Sequence, residues 1–281
     1  MNAAGWKWRP GCRGFAAAAA MVAAMVSPCR AGEESPPPVV VVAGSAMIAA
    51  AVHGLAGEER VEVVELQAPG ACPGHFDFSP DQLRRVRGAA VVIHHDYQRQ
   101  LVTRLGAAGG KPVFVPLGAA GSLCLPEHQR TLLGHLASAL DPLLDPAARR
   151  EVARRRAALE EEINVVAAEI DAAAAPWARQ PVVASAMQRE FVERLGMRVV
   201  AELRRPEALG PRDWARMRGS GAVLVIGNLQ SDAAAAEALA RQAGLPVAVL
   251  SNFPGAEGFG ADYAALVREN LGRITAAWSK P

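Results

Sequence analysis

The chain has few cysteines and few aromatic residues. Only four cysteines occur, and aromatic residues make up 5% of its 281 residues. There is no Cys-x-x-Cys pair, and no Gly-x-Gly-x-x-Gly follows a strand pattern. Neither a thioredoxin-like redox motif nor a dinucleotide-binding fingerprint is therefore indicated. Serine, histidine and aspartate do not occur in a recognisable nucleophile context either, so no hydrolase is indicated.

The sequence also lacks an apolar run long enough to cross a bilayer. Its longest run, residues 15–26, follows three basic residues and precedes the small-residue segment Cys29-Arg30-Ala31. This arrangement predicts a secretory signal over residues 1–31 and export to the periplasm. Two alternatives stay open, namely lipidation at Cys29 and retention of the segment as an amphipathic anchor.

Without the predicted signal, the chain has no excess of positive charge. Residues 1–31 contain four basic and no acidic residues, which leaves 26 basic and 28 acidic residues in the remainder. A net charge of about −2 without a basic patch does not suggest binding to nucleic acid. The remaining chain, about 250 residues, has the size of two ordinary domains.

Strand and helix patterns alternate in two series along the chain. In the first series, short apolar runs fit buried strands near residues 39–42, 60–66, 89–94 and 112–117. In the second series, the corresponding runs lie near residues 181–185, 199–203, 222–226 and 246–250. Continuous apolar strands separated by helices indicate parallel sheets. We therefore predict an α/β fold with two parallel-sheet lobes.

A long helix is predicted between the two series. Asp145-Pro146 reads as an N-cap followed by proline at the first helical position, and the next proline or glycine is Pro176. One apolar stripe has helical spacing: Val152, Leu159, Ile163, Val166 and Ile170. About 29 helical residues would form a rigid rod of roughly 44 Å. The predicted organisation is an N-terminal lobe over residues 32–144, a linking helix over 145–176 and a C-terminal lobe over 177–281.

Candidate binding residues follow the predicted strands, because ligands of α/β lobes bind beyond the carboxyl ends of their strands. In the first lobe these positions include His75, His94 and His95. Successive side chains on a strand point apart, so only one of the adjacent pair is expected to face a cleft. The other strand ends carry neutral side chains that suit hydrogen bonding and are predicted to line the cleft: Ser45, Gln188, Asn228, Gln230 and Asn252.

Two cysteines, Cys72 and Cys124, remain after removal of the predicted signal. In an oxidising compartment such a pair favours a disulfide, here one that would join two loops near the cleft. Thiolate metal ligands and free thiols are the open alternatives. A thiol-active enzyme is a further alternative, and it would need an accessible cysteine with a lowered pKa.

The segment Pro69-Gly70-Ala71-Cys72-Pro73-Gly74-His75-Phe76-Asp77-Phe78-Ser79-Pro80 connects a buried strand to a helix start. It resembles the first metal-binding loop of the cluster A-I family, the periplasmic zinc and manganese receptors of ABC importers. In that family the loop reads roughly Pro-Gly-x-x-Pro-His-x-Tyr-x-x-Thr-Pro. The order of strands and helices over about residues 39–279 is also similar to that family, whose two lobes are joined by one long helix.

The resemblance implies a receptor that holds a Zn²⁺ or Mn²⁺ ion, or a metal complex, between two lobes. Such a receptor works as a monomer, passes its cargo to an ABC permease in the inner membrane and catalyses no reaction. A zinc or manganese site of this kind is built from histidines and carboxylates. An alternative is a non-catalytic accessory protein of metal trafficking, with the same fold but without the ion site.

The chain departs from the family pattern at all four usual ligands. Gly74 stands at the first histidine position, with His75 one residue later, and Gly121 stands at the second. The stretches 184–188 and 251–255 contain neither the third histidine nor the aspartate. The predicted metal ligands are therefore the histidines of the first lobe, His75, His94 and His95, with Cys72 and Cys124 as alternatives.

Overall fold

The first half of the chain forms a four-stranded parallel sheet. The computed structural model describes residues 37–71, 79–107, 112–118 and 121–279. Its first four strands are β1 (Val39–Ala43), β2 (Val61–Glu65), β3 (Val91–His94) and β4 (Val113–Pro116). They are arranged in the order β2-β1-β3-β4, and every neighbouring pair is parallel. The central strands β1 and β3 are largely buried, which explains their unbroken apolar sequences.

Helices cover both faces of this sheet: α1 (Ala46–Ala56), α2 (Pro80–Gly88), α3 (Arg99–Ala107) and α4 (Pro126–Leu140). Alternate residues of β1 point to opposite faces, so Val41 packs with α1 in the main core while Val42 packs with Val86 and Leu105 of α2 and α3. The start of α2 is set by a capping box, in which Ser79 and Gln82 bond to each other's backbone N–H groups.

The second half of the chain repeats this strand order. Its strands are β5 (Pro181–Ser185), β6 (Arg198–Leu203), β7 (Leu224–Asn228) and β8 (Val247–Leu250), in the parallel order β6-β5-β7-β8. The accompanying helices are α6 (Arg189–Arg194), α7 (Pro211–Arg218), α8 (Ala233–Ala243) and α9 (Tyr263–Trp278). The two sheets therefore share one topology.

One long helix, α5 (Pro146–Ala174), connects the two halves. It begins where the sequence predicts, because the Asp145 carboxylate accepts hydrogen bonds of 2.8 Å from the backbone N–H groups of both Ala147 and Ala148. The helix packs against α1 and α4 of the first half and α9 of the second. Four residues of the predicted apolar stripe are buried there: Val152, Ile163, Val166 and Ile170. The predicted fold class, two parallel-sheet lobes joined by a long helix, is confirmed.

The main core runs continuously from the first lobe through α5 into the second lobe. The compact unit that holds both lobes begins at Pro37. The lobe boundaries at residues 144 and 177 stay a prediction. The predicted signal, Cys72 and His75 lie outside the described residues. None of the described helices combines the length and apolar character needed to span a membrane.

The strand order places a topological switch point in each lobe. In the first sheet the chain moves outward in opposite directions from β1 and β3, and in the second sheet it does so from β5 and β7. The crevice beyond the carboxyl ends of such strand pairs is where open α/β sheets bind ligands. The residues at these ends are Ser45 and His95 in the first lobe, and Ser185 and Asn228 in the second.

Candidate functional site

A cleft between the lobes contains two adjoining chambers. The first, called here the histidine chamber, has a volume of about 510 Å³, and His95, Ser122 and Glu190 are among its lining residues. The second, called the arginine chamber, has a volume of about 400 Å³, and Arg205 and Asn228 are among its lining residues. Four residues line both chambers: Tyr97, Met187, Asn252 and Phe253.

At the first switch point, Ser45 and His95 are joined by a hydrogen bond. Ser45 Oγ lies 2.8 Å from His95 Nε2, and the same serine caps α1. The His95 ring stacks on Tyr97 with a centroid distance of 4.9 Å. Burial, with a smaller contribution from the charge of His94, lowers the pKa of His95 to about 4. The imidazole is therefore neutral at physiological pH, and Nδ1 is the ring nitrogen that Ser45 leaves available.

The neighbouring His94 has a different environment. It is almost fully buried, and its Nδ1 lies 3.0 Å from the backbone carbonyl oxygen of His95. His94 is not among the described residues that line either chamber, whereas His95 lines the histidine chamber. The structure therefore brings His95, but not His94, to the cleft.

The second switch point is organised by a buried carboxylate that the sequence reasoning did not single out. Asp232 accepts hydrogen bonds from Ser185 Oγ at 2.6 Å and from the backbone N–H of Asn228 at 2.8 Å. Ser231 Oγ also donates to this carboxylate. Burial raises the pKa of Asp232, and these donors oppose that rise. The Asp232 side chain thus fixes the ends of β5 and β7 relative to each other.

Amide side chains link the wall of the second lobe to the first lobe. Gln230 Nε2 donates to Ser251 Oγ at 2.7 Å and to the Pro69 carbonyl oxygen, across the lobes, at 2.9 Å. Asn252 Oδ1 accepts a 2.9 Å hydrogen bond from Gln188 Nε2. Gln188 lines neither chamber within the described part of the chain, so its role is to support Asn252.

Gly121, which stands where the family has a histidine, lies against a carboxylate of the second lobe. A Cβ atom added to Gly121 would collide with the carboxylate of Glu190, which reaches over from α6 and accepts a hydrogen bond from the Ser122 N–H. The carboxylate of the second lobe therefore occupies the space that a residue-121 side chain would need. A histidine cannot be placed at this position while Glu190 remains in its present orientation.

Cys124 is a buried free thiol, so the structure does not show the predicted disulfide; the proposed partner, Cys72, is in the part of the chain that is not described. The thiol contacts the Ser251 carbonyl oxygen at 3.7 Å. Burial raises the pKa of Cys124 to about 12, and the residue is not among the described lining of either chamber. A thiolate ligand or a reactive thiol at this position is therefore not supported.

Several lining residues were missed by the sequence reasoning. Tyr97 and Arg205 each follow closely after a strand end. The strand-end rule could therefore have included them. Glu190 carries no such signal, because it reaches the cleft only through the placement of α6. Within residues 37–71, 79–107, 112–118 and 121–279, no three His, Cys, Asp or Glu side chains converge as a metal site.

Two lobes of identical topology, joined by a helix and enclosing a cleft at both switch points, define the architecture of a two-lobed solute receptor. The family described as zinc-uptake complex component A, periplasmic, matches residues 41–277. The chain belongs to this family.

Solved structures of low sequence identity share the fold. The periplasmic zinc-binding protein TroA from Treponema pallidum superposes with a TM-score of 0.73 at 16% identity, covering 86% of this chain and 100% of that chain. A crystal structure of ZnuA gives 0.72 at 15% identity, covering 86% and 100%. A periplasmic metal-binding protein from Candidatus Liberibacter asiaticus gives 0.71 at 14% identity, covering 85% and 99%. No curated protein sequence matches the chain significantly.

Proposed function

We propose that this chain is the periplasmic solute-binding receptor of an ABC importer, with a transition metal ion, zinc or manganese, as its cargo. Membership of the zinc-uptake family over residues 41–277 carries the proposal. The similar structures support it, because one is described as zinc-binding and another is known in manganese-bound and cadmium-bound forms. The receptor would hold its cargo in the cleft, deliver it to a permease in the inner membrane and catalyse no reaction.

His95 is the described residue best suited to contribute a metal ligand. Its ring is neutral near pH 7, so a metal ion does not compete with a proton for the nitrogen. Its bond to Ser45 orients the ring in the way that hydrogen bonds to metal-binding histidines usually do. We propose His75 as a second ligand on the basis of the sequence resemblance of the segment 69–80.

We further propose that residues 1–31 direct export and are removed, and that the exported protein is a monomer. The order of basic, apolar and small residues supports this assignment. The intact mass of the protein purified from the periplasm would show the cleavage position, and a lipidated Cys29 would add the mass of acyl chains. Light scattering would give the oligomeric state.

The test of metal binding is calorimetric titration of the metal-free protein with Zn²⁺ and with Mn²⁺, together with elemental analysis. We expect one ion per chain and a loss of affinity of at least tenfold in His75→Ala and in His95→Gln. His135→Ala is the matched control, because His135 is exposed on α4 and should leave binding unchanged. If the wild-type protein binds neither ion, or if both cleft variants bind normally, the proposed cargo or site is wrong.

A second candidate function is an accessory protein of metal trafficking that has lost the ion site. The neutral character of the second-lobe amides favours it, as does the lack of a three-residue metal cluster among the described residues. This candidate would gain support if no metal bound at any tested concentration while the protein remained folded.

A further inference from the structure

The arginine chamber has walls that a bare metal ion would leave uncovered. Tyr97 of the first lobe and Met187 of the second are 57% and 50% exposed, and both line this chamber. Phe253 adds a third apolar wall. Large apolar surfaces that line a cavity favour an organic ligand, because they gain by being removed from water. The volume of about 400 Å³ also lies in the range of small-molecule sites.

The charge of the chamber favours an anion. Arg205, half-buried at the end of β6, is the one charged residue among its described lining residues. None of the ion pairs within the described ranges involves Arg205, whereas the adjacent Arg204 pairs with Glu202 at 3.8 Å. An unpaired guanidinium repels a free cation and offers a planar pair of donors to a carboxylate.

A buried donor supplies independent support. Asn228 is fully buried and lines the chamber, and its Nδ2 group has no hydrogen-bond partner among the described residues. The other end of this amide is used, because Oδ1 accepts from the Gln230 N–H at 3.1 Å. This bond fixes the orientation of the amide and leaves the NH₂ group as a donor. A buried donor without a partner is costly unless a ligand or water accepts its hydrogen bond.

From these contacts we infer that the arginine chamber binds a small carboxylate-bearing molecule with an apolar or aromatic body. The inference rests on the proposed function, since it names the class of cargo for the same cleft. Arg205 binds the carboxylate, Asn228 donates to one of its oxygen atoms, and Tyr97, Met187 and Phe253 cover the apolar body. The shared walls make the two chambers contiguous, so a metal chelated by such a molecule would lie beside His95.

Calorimetric titration with two aromatic carboxylate probes tests this inference. Pyridine-2,6-dicarboxylate and 2,3-dihydroxybenzoate are titrated into the purified protein, each alone and each as its preformed zinc complex, with Zn²⁺ alone in a separate arm. We expect at least one probe to bind, and Arg205→Gln to weaken that binding by about 10- to 100-fold. Arg204→Gln is the matched control, because it removes the same charge one residue outside the chamber.

The arms distinguish the form of the cargo. Binding of the free probe without binding of Zn²⁺ identifies an organic anion as the cargo in place of the proposed metal ion, whereas binding of the zinc complex alone identifies a metal chelate. Met187→Ala should weaken binding severalfold through the lost apolar contact, and circular dichroism of each variant checks that it is folded.

The inference is overturned if Zn²⁺ binds while both probes fail in both forms, and the proposed function then stands. It is also overturned if folded Arg205→Gln binds the probes as tightly as the wild-type protein does. Failure of Zn²⁺, Mn²⁺ and all probes would overturn the inference and the proposed cargo together.

Discussion

Ser45 and His95, fifty residues apart in sequence, are held together by a 2.8 Å hydrogen bond across the first switch point. Ser45 lies between β1 and α1, and His95 directly follows β3. Neighbouring Gln98 reinforces this junction, because it accepts from the His95 N–H at 3.0 Å and donates to the Gly44 carbonyl oxygen at 2.7 Å. The His95 ring is therefore oriented by the start of α1.

Removing the Ser45 hydroxyl should weaken both stability and metal affinity. Ser45→Ala deletes the α1 cap and the bond to the His95 ring, so we expect a loss of about 1 to 2 kcal/mol in the free energy of unfolding. If His95 is a ligand, zinc affinity should fall by about 10- to 100-fold. Chemical denaturation and calorimetry measure the two effects. Unchanged affinity in a folded variant would argue against His95 as a ligand.

A methyl group at Gly44 should disrupt the same junction. The added Cβ would collide with the Gln98 side-chain amide, which is buried and bonded at both ends. We expect Gly44→Ala to lower the free energy of unfolding by about 2 to 3 kcal/mol. The control is Gly272→Ala within α9, where nothing lies within 4 Å of the new atom. That substitution should stabilise the protein by about 0.5 to 1 kcal/mol. Equal stabilities in urea denaturation would contradict this account.

Cys124 should resist alkylation in the native protein. With a pKa of about 12, only about one thiol in ten thousand is ionised at pH 8, and the side chain is 1% exposed. We expect no labelling of the Cys124 peptide by iodoacetamide over several hours, and full labelling after unfolding without reductant, as read by mass spectrometry. A peptide that stays unlabelled even after unfolding would instead reveal a disulfide.

Glu65 should make the protein less stable as the pH rises. Burial raises the pKa of this carboxyl from 4.5 to about 7, and one of its oxygens has no partner among the described residues. The folded state therefore binds the proton more tightly than the unfolded state does. The resulting stability is present below about pH 4.5 and is lost as the pH rises through 7.

The neutral variant Glu65→Gln should remove this dependence. We expect it to match the wild-type protein near pH 4 and to exceed it by about 1 to 3 kcal/mol at pH 8. The measured quantity is the difference in the free energy of unfolding between Glu65→Gln and the wild-type protein at each pH. This difference also removes the contribution of His95, which is the same in both proteins and has the opposite pH dependence. The lowered pKa of His95 makes stability fall as the pH decreases from 6.5 to 4. A difference that does not change with pH would refute the role of Glu65.

Local signals predicted most of the fold. The limits of α5 follow from Asp145-Pro146 and Pro176, and the start of α2 follows from Ser79-Pro80, because caps and prolines act through neighbouring backbone groups. The start of α3 depends on a side chain as well: the segment after β3 first forms a 3-10 turn over Asp96–Gln98, and α3 starts only at Arg99. There the Gln98 side chain accepts from the His95 N–H and holds the turn.

The candidate site was less predictable, because its contacts join distant parts of the chain. Strand ends indicated Asn228 and Asn252, which line the cleft, and Ser45, which bonds to His95 but is not among the described lining residues. Nothing local separates His94, which is also absent from that lining, from His95, which belongs to it. The unpaired state of Arg205 and the position of Glu190 depend on tertiary placement. No periodicity or spacing in a single sequence encodes such placement.

The carboxylate of Glu190 couples positions 121 and 190 across the cleft. Because it fills the space beside Gly121, a single change of Gly121 to histidine would create a steric conflict before it could create a ligand. Removal of Glu190 alone would free its partner, the Ser122 N–H, and supply no new ligand. A substitution at either position therefore changes the contacts of the other, so their effects on stability are expected to be non-additive.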